Sequence, residues 1–152
     1  MLVNEIFASI EGEGLWAGVP TTFIRLYGCN LHCSYCDTRY ACDGGKSEFK
    51  HLSIDDILQV VEVFGNKHIT LTGGEPLLQK HVYYLVKELI HHGYHVNIET
   101  NGSQAVVLFA RAVIRGIVGN ADTQRVLLRR VRGIAVDGLS EAVKDLKGQT
   151  IG

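Results

Sequence analysis

Proline is almost absent from this chain: Pro20 and Pro76 are the only two in 152 residues. That scarcity excludes a proline-rich spacer, and no Ser- or Gly-rich stretch marks a boundary either, so a single domain is expected over 1–152. The length suffices for a normal core, and an apolar share of 46% places the chain among globular proteins. Neither sign of charge dominates. The formal net charge is −1, which gives no electrostatic footprint for nucleic acid. No apolar run approaches the roughly 20 residues that cross a bilayer, and no export signal opens the chain. A cytoplasmic protein with no membrane partner is the expectation. Cysteine is scarce too, with four residues, and three of them crowd into one short segment.

That segment is Gly28-Cys29-Asn30-Leu31-His32-Cys33-Ser34-Tyr35-Cys36, a C-x3-C-x2-C spacing. Four cysteines at matched offsets would close a zinc site or a fully ligated iron–sulfur cluster. Three thiolates can hold three irons of a [4Fe–4S] cluster and leave the fourth open, where a substrate or cofactor can chelate. Cys42 follows six residues after Cys36, so a four-thiol zinc site is formally available. Zinc ligands, however, usually come as two short knuckles with a larger gap between them. Two disulfides would suit a secreted domain. The cluster is the preferred reading, with Cys42 a free thiol or incidental neighbour.

Hydrophobic patterning places these cysteines on a scaffold. Pro20–Leu26 is β-branched and aromatic and predicts a strand, so the cysteines lie in the loop leaving its C-terminal end. Ser53, with Asp56 three residues on, predicts a capped helix whose apolar set is Ile54, Ile57, Leu58 and Val61. Lys67–Thr72 is a second strand, His81–His92 a second helix stopped by Gly93, and Tyr94–Glu99 a third strand. The adjacent His91 and His92 point to different sides of a helix and belong to its surface. This β-α-β-α-β order implies crossovers and a parallel sheet. Loops at strand C-termini line the ligand site in such folds. The cysteine loop, Gly73-Gly74-Glu75-Pro76 and Glu99-Thr100-Asn101-Gly102 therefore converge on one mouth.

The cysteine spacing resembles the signature of radical S-adenosylmethionine (SAM) enzymes, and GGEP is similar to their motif for the methionyl amine. Further segments narrow the resemblance: Ser9-Ile10-Glu11-Gly12-Glu13-Gly14, Pro20–Leu26, Cys36-Asp37-Thr38, Thr70–Leu78 and Glu99–Gly102. In this order they resemble the 7-carboxy-7-deazaguanine synthase family of queuosine biosynthesis over about residues 1–103. The resemblance implies an α/β fold, a partial parallel (β/α) barrel with the cluster at its mouth. It implies a lyase that contracts 6-carboxy-5,6,7,8-tetrahydropterin to 7-carboxy-7-deazaguanine with loss of ammonia. The cofactors implied are a [4Fe–4S] cluster, SAM and Mg2+. A 5′-deoxyadenosyl radical would take a substrate hydrogen and return it, regenerating SAM.

Residue by residue, the resemblance assigns Cys29, Cys33 and Cys36 to the cluster and Thr38 to magnesium. Tyr35 would pack beside the adenine, and Asp37, Gly73, Gly74, Glu75 and Asn101 fall on the cofactor side. Ile10, Glu11 and Gly12 match a segment that contacts the pterin through its backbone, although many relatives carry glutamine at the position of Glu11. Arg25 matches the arginine for the substrate carboxylate, a task suited to a bidentate guanidinium. Thr72 and Glu99 complete the substrate set. A flavodoxin- or ferredoxin-type electron donor and a homodimer are the implied partners. A small radical SAM activase acting on a protein, or an inactive cluster-binding remnant, are the alternatives.

Beyond Gly102 the pattern departs from the family. No proline follows Pro76, and six of the eight arginines lie after Ser103. Helices are predicted over 104–115, 123–130 and 139–146, with a short strand at 133–136. A truncated, frameshifted or replaced C-terminal segment is the expectation for 104–152, with a genuinely compact variant the alternative and the arginine run a solvated basic face.

Overall fold

A computed structural model describes residues 1–42 and 48–105. The four elements predicted beyond Ser103 lie outside the described residues, save the first two positions of the first helix. Among the described residues five strands form one sheet: β1 (Leu2–Ile10), β2 (Pro20–Leu26), β3 (Lys50–His51), β4 (His68–Gly73) and β5 (His95–Ile98). Their spatial order is β3-β1-β2-β4-β5. Helix α1 (Ile54–Phe64) joins β3 to β4, and α2 (Val82–His91) joins β4 to β5.

The strands β2, β4 and β5 are parallel, with Leu26 beside Gly73 and Leu71 beside Ile98. This is the β-α-β-α-β core of the expected partial barrel. The sheet is nevertheless mixed, because β1 pairs antiparallel with β2 along nearly its whole length and β3 pairs antiparallel with β1. The sequence did not announce β1. Its apolar residues come in pairs and triplets that do not alternate, only Val3 of its nine residues is buried, and a register irregularity lies between Val3 and Glu5.

Local chemistry explains the helices. Ser53 Oγ accepts the Asp56 amide at 3.0 Å while the Asp56 carboxylate accepts the Ser53 amide at 2.8 Å, a closed capping box. Gly65, at φ +68°, ends α1 in the left-handed region. The core lies between the helices and one sheet face: Ile24, Leu26, Ile69 and Leu71 pack with Ile57, Val61, Leu85 and Leu89. Alternation then fixes the opposite face. It carries Thr21, Phe23 and Arg25 of β2, and Thr70 and Thr72 of β4, with Arg25 directly beside Thr72. Among the described residues no helix is long and apolar enough to cross a membrane.

Candidate active site

Because β2, β4 and β5 are parallel, the loops that leave them meet at one edge of the sheet. A cavity of about 420 Å³ opens there. The loop after β2 lines it with Cys29, Cys33 and Cys36, the end of β4 with Thr72, Gly73 and Gly74, and the end of β5 with Glu99, Thr100 and Asn101. Asp37, Thr38 and Cys42 line it as well. A larger hollow of about 500 Å³ lies between the C-terminal part of α1 and the residues leading into β4 and β5. It contains none of these groups.

The double glycine has a reason the sequence did not reveal. A Cβ on Gly73 would lie 2.0 Å from the Leu26 carbonyl oxygen, and one on Gly74 would lie 2.1 Å from that of Gly28. The close approach is therefore of chain to chain: the GGEP loop presses against the root of the cysteine loop. The Gly74 and Glu75 amides donate to the Leu26 and Gly28 carbonyls at 3.1 and 2.7 Å.

Glu75 completes this joint. It is buried, 1% exposed. Its carboxylate accepts the amides of Leu77 at 2.9 Å and Asn101 at 2.7 Å, and the Thr100 hydroxyl lies 2.9 Å from both oxygens. Donors on the next loop thus surround the carboxylate, and it locks GGEP to Thr100-Asn101. The sequence places Thr100 in the converging Glu99–Gly102 loop but gives it no role of its own, since a threonine in a strand-end loop carries no periodic signal. Asn101 reaches the cysteine loop as well, donating to Asn30 at 3.2 Å and pointing its amide nitrogen at Cys29 Sγ, 3.8 Å away.

All four cysteines are free thiols. Thr38 favours the thiolate of Cys36 through its backbone amide and its hydroxyl, lowering the Cys36 pKa. Cys42 behaves oppositely: burial, with the neighbouring Cys36 and Cys29, pushes its thiol up to about 12. Among the described residues no three Cys, His, Asp or Glu side chains converge on a single ion. A zinc site would need that convergence, whereas each thiolate of an iron–sulfur cluster takes its own iron. Cys29, Cys33 and Cys36 around the cavity, with an amide aimed at the Cys29 sulfur, fit a [4Fe–4S] cluster, and Cys42, which also lines it, is held as a thiol. The cavity volume suits a cofactor the size of SAM. Tyr35, expected beside an adenine, stands at the rim with 87% of its surface exposed.

Beneath this mouth, the inner sheet face collects charge. Arg25 Nε donates to Glu5 at 2.8 Å, Tyr40 donates to the same Glu5 oxygen at 2.9 Å, and the guanidinium lies 5.7 Å from the Phe7 ring. These contacts hold the fork in place beside Thr72. Glu99 is half-buried, and its pKa is raised first by burial and then by Glu11 and Glu13, against the lowering effects of Thr72 and Arg25. Glu11 is buried and accepts the Thr70 hydroxyl at 2.5 Å. Thr70 was not singled out from sequence, although its place on the inner face follows from strand alternation.

The N-terminal segment sits differently from the rest. Antiparallel pairing carries Ile10 to the edge where β2 begins, opposite Pro20, away from the cysteine loop. Glu11 bonds through its own amide to Val19 and through its carbonyl to Gly18, at 2.9 and 2.7 Å. Both backbone groups of Glu11 are therefore engaged within the chain. At the same edge Trp16 packs edge-on against His68, centroids 4.6 Å apart, with His95 at 6.2 Å. His91 and His92 are exposed, as expected of a helix surface.

Comparison with known proteins agrees with this geometry. The radical SAM superfamily profile matches residues 23–151. A 7-carboxy-7-deazaguanine synthase from Rhodopirellula baltica is 47% identical over 103 residues, covering 68% of this chain and 39% of that protein. One from Haemophilus influenzae is 42% identical over 68% of this chain and 46% of its own length. The crystal structure of QueE from Escherichia coli aligns with a TM-score of 0.62 and 30% identity, covering 68% of this chain and 53% of that one. The chain spans about half the length of these relatives or less. Three free thiols at the mouth of a parallel sheet, joined to a glycine-rich strand end and matched by these relatives, make this chain a member of the radical SAM superfamily.

Proposed function

We propose that the chain is the cluster- and SAM-binding part of a 7-carboxy-7-deazaguanine synthase, a carbon–nitrogen lyase acting on 6-carboxy-5,6,7,8-tetrahydropterin. The observation that carries the reading is a layered site. Cys29, Cys33 and Cys36, with Cys42 beside them, line a cavity whose floor continues into Thr72 and Glu99, with the Arg25 fork beside Thr72. With cluster and SAM bound, the pair supplies a carbon radical able to take a hydrogen atom from a substrate held below.

The rest of the work belongs to the protein. Cys29, Cys33 and Cys36 would hold the cluster, and the strand end at Gly73 and Gly74 would offer backbone carbonyls to the methionyl amine. Glu75 acts by bracing that loop, since backbone amides and Thr100 already occupy its oxygens. Arg25 orients a substrate carboxylate through its two Nη atoms, Nε being bound to Glu5. Glu99 and Thr72 fix the pterin ring by hydrogen bonds, and the raised pKa of Glu99 lets it hold a proton where an ordinary carboxylate would not. Ile10 or Gly12 contributes a backbone contact, and Tyr35 folds over the cofactor. Thr38 offers a hard oxygen to Mg2+. A flavodoxin- or ferredoxin-type reductant, a homodimer and a cytoplasmic setting complete the proposal.

The test is a product assay on anaerobically reconstituted protein with reductant, SAM, Mg2+ and 6-carboxytetrahydropterin. Formation of 7-carboxy-7-deazaguanine above a Cys33→Ala control is the expected result. Cluster-loaded protein that cleaves SAM but yields no such product would overturn the substrate assignment.

A further inference from the structure

Cys42 is the one cysteine that the three-ligand site leaves without a role. It is 7% exposed, yet its Sγ lies 3.9 Å from Cys36 Sγ. The turn at Arg39–Ala41 brings the two sulfurs together, and backbone bonds hold the approach in place. The Cys42 amide donates to Arg39, the Cys42 carbonyl accepts the Cys29 amide at 3.0 Å, and the Gly28 amide donates to Ala41 at 2.7 Å. Closing the remaining gap to a disulfide length of about 2.05 Å asks for side-chain rotation across a short turn.

We propose that Cys36 and Cys42 form a reversible disulfide in the cluster-free protein, a redox modification site that takes one ligand out of the cluster set. Two thiols lose two electrons and two protons. Hydrogen peroxide accepts them and leaves as two waters, so one sulfur–sulfur and two oxygen–hydrogen bonds replace two sulfur–hydrogen bonds and one oxygen–oxygen bond. Cys29 and Cys33 stay as thiols and cannot hold the cluster alone. A dithiol reductant reverses the bond and returns Cys36. The pairing also protects Cys36, because a sulfenic acid with no partner thiol goes on to sulfinic acid, which dithiothreitol does not reverse.

The experiment uses the full chain without iron, treated with equimolar hydrogen peroxide and then alkylated. Trypsin cuts after Arg39, which separates a peptide 26–39 holding Cys29, Cys33 and Cys36 from a peptide 40–46 holding Cys42. The expected product is a cross-link of these two peptides whose fragmentation places the bond at Cys36, with Cys29 and Cys33 alkylated. A cross-link at Cys29 or Cys33, or an alkylated Cys42 beside oxidised neighbours, overturns the proposal. A second measurement tests protection through iron content. After two equivalents of peroxide per chain, enough to carry an unpartnered thiol to sulfinic acid, and then dithiothreitol, the wild type should reload iron fully while Cys42→Ser reloads several-fold less. Equal reloading would refute the guarding role. The mapping on wild-type protein decides the pairing even if the variant fails to fold, and neither readout depends on the pterin substrate.

Discussion

Replacing Gly74 with alanine tests the chain-to-chain joint directly. The new Cβ would lie 2.1 Å from the Gly28 carbonyl oxygen and 2.4 Å from its carbon. Real Cβ contacts essentially never fall below 3.0 Å, so one loop must retreat by about 0.9 Å. The Glu75 amide bond to the same carbonyl is 2.7 Å long, and a retreat of that size stretches it past hydrogen-bonding distance. Overpacking costs about 1–3 kcal/mol and the lost bond about 1 kcal/mol, so about 2–4 kcal/mol is expected in all. The retreat also moves Cys29, whose amide is the third atom in the clash, at 2.9 Å. Iron bound per chain after anaerobic reconstitution should therefore fall together with the denaturant midpoint. Gly93→Ala is the control. That glycine has φ +81° and open space around its Cβ position, so alanine there costs roughly 1–2 kcal/mol of conformational strain alone. A Gly74→Ala protein that binds wild-type iron and unfolds no earlier than Gly93→Ala would refute the joint.

Glu75→Gln replaces an all-acceptor carboxylate with an amide whose NH2 faces donors; a loss of about 2 kcal/mol in denaturant unfolding is expected, and an unchanged midpoint would count against the lock. Arg25→Ala removes a pair with a partly exposed Glu5, so stability should change by about 1 kcal/mol or less, while the KM for the pterin rises at least tenfold and SAM affinity stays unchanged. A matched loss of SAM binding would remove Arg25 from the substrate site. Glu99 has a raised pKa, so its contribution to stability is whole below the ordinary carboxylate range and disappears as pH rises through the raised value. Glu99→Gln should thus gain stability over wild type at pH 8 and lose that advantage at pH 4; a difference independent of pH would refute the assignment. Thr38→Ala should weaken the magnesium response of turnover more than iron loading, and an unaltered magnesium titration would exclude it.

What the sequence made legible was whatever repeats along the chain. The amphipathic faces of α1 and α2, the β-branched runs of β2 and β4, and the cysteine spacing were all readable, and parallel pairing then brought three loops to one mouth. What stayed hidden depends on partners distant in sequence. β1 buries a single residue and exists because β2 offers it an edge. Its antiparallel course carries Ile10 to the edge where β2 begins, away from the cysteine loop. GGEP was legible as a motif and not as a mechanism. Its glycines are required where Leu26 and Gly28 pass overhead, and its glutamate faces Thr100 and Asn101. A change in any one of the three loops is consequently felt by the other two. Gly74 fixes the height of the cysteine loop, Glu75 fixes the β5 loop, and Asn101 returns from that loop to Cys29. The site is thus a closed circuit of short contacts, and the motif residues that look most like ligand contacts are also the ones that hold the circuit together.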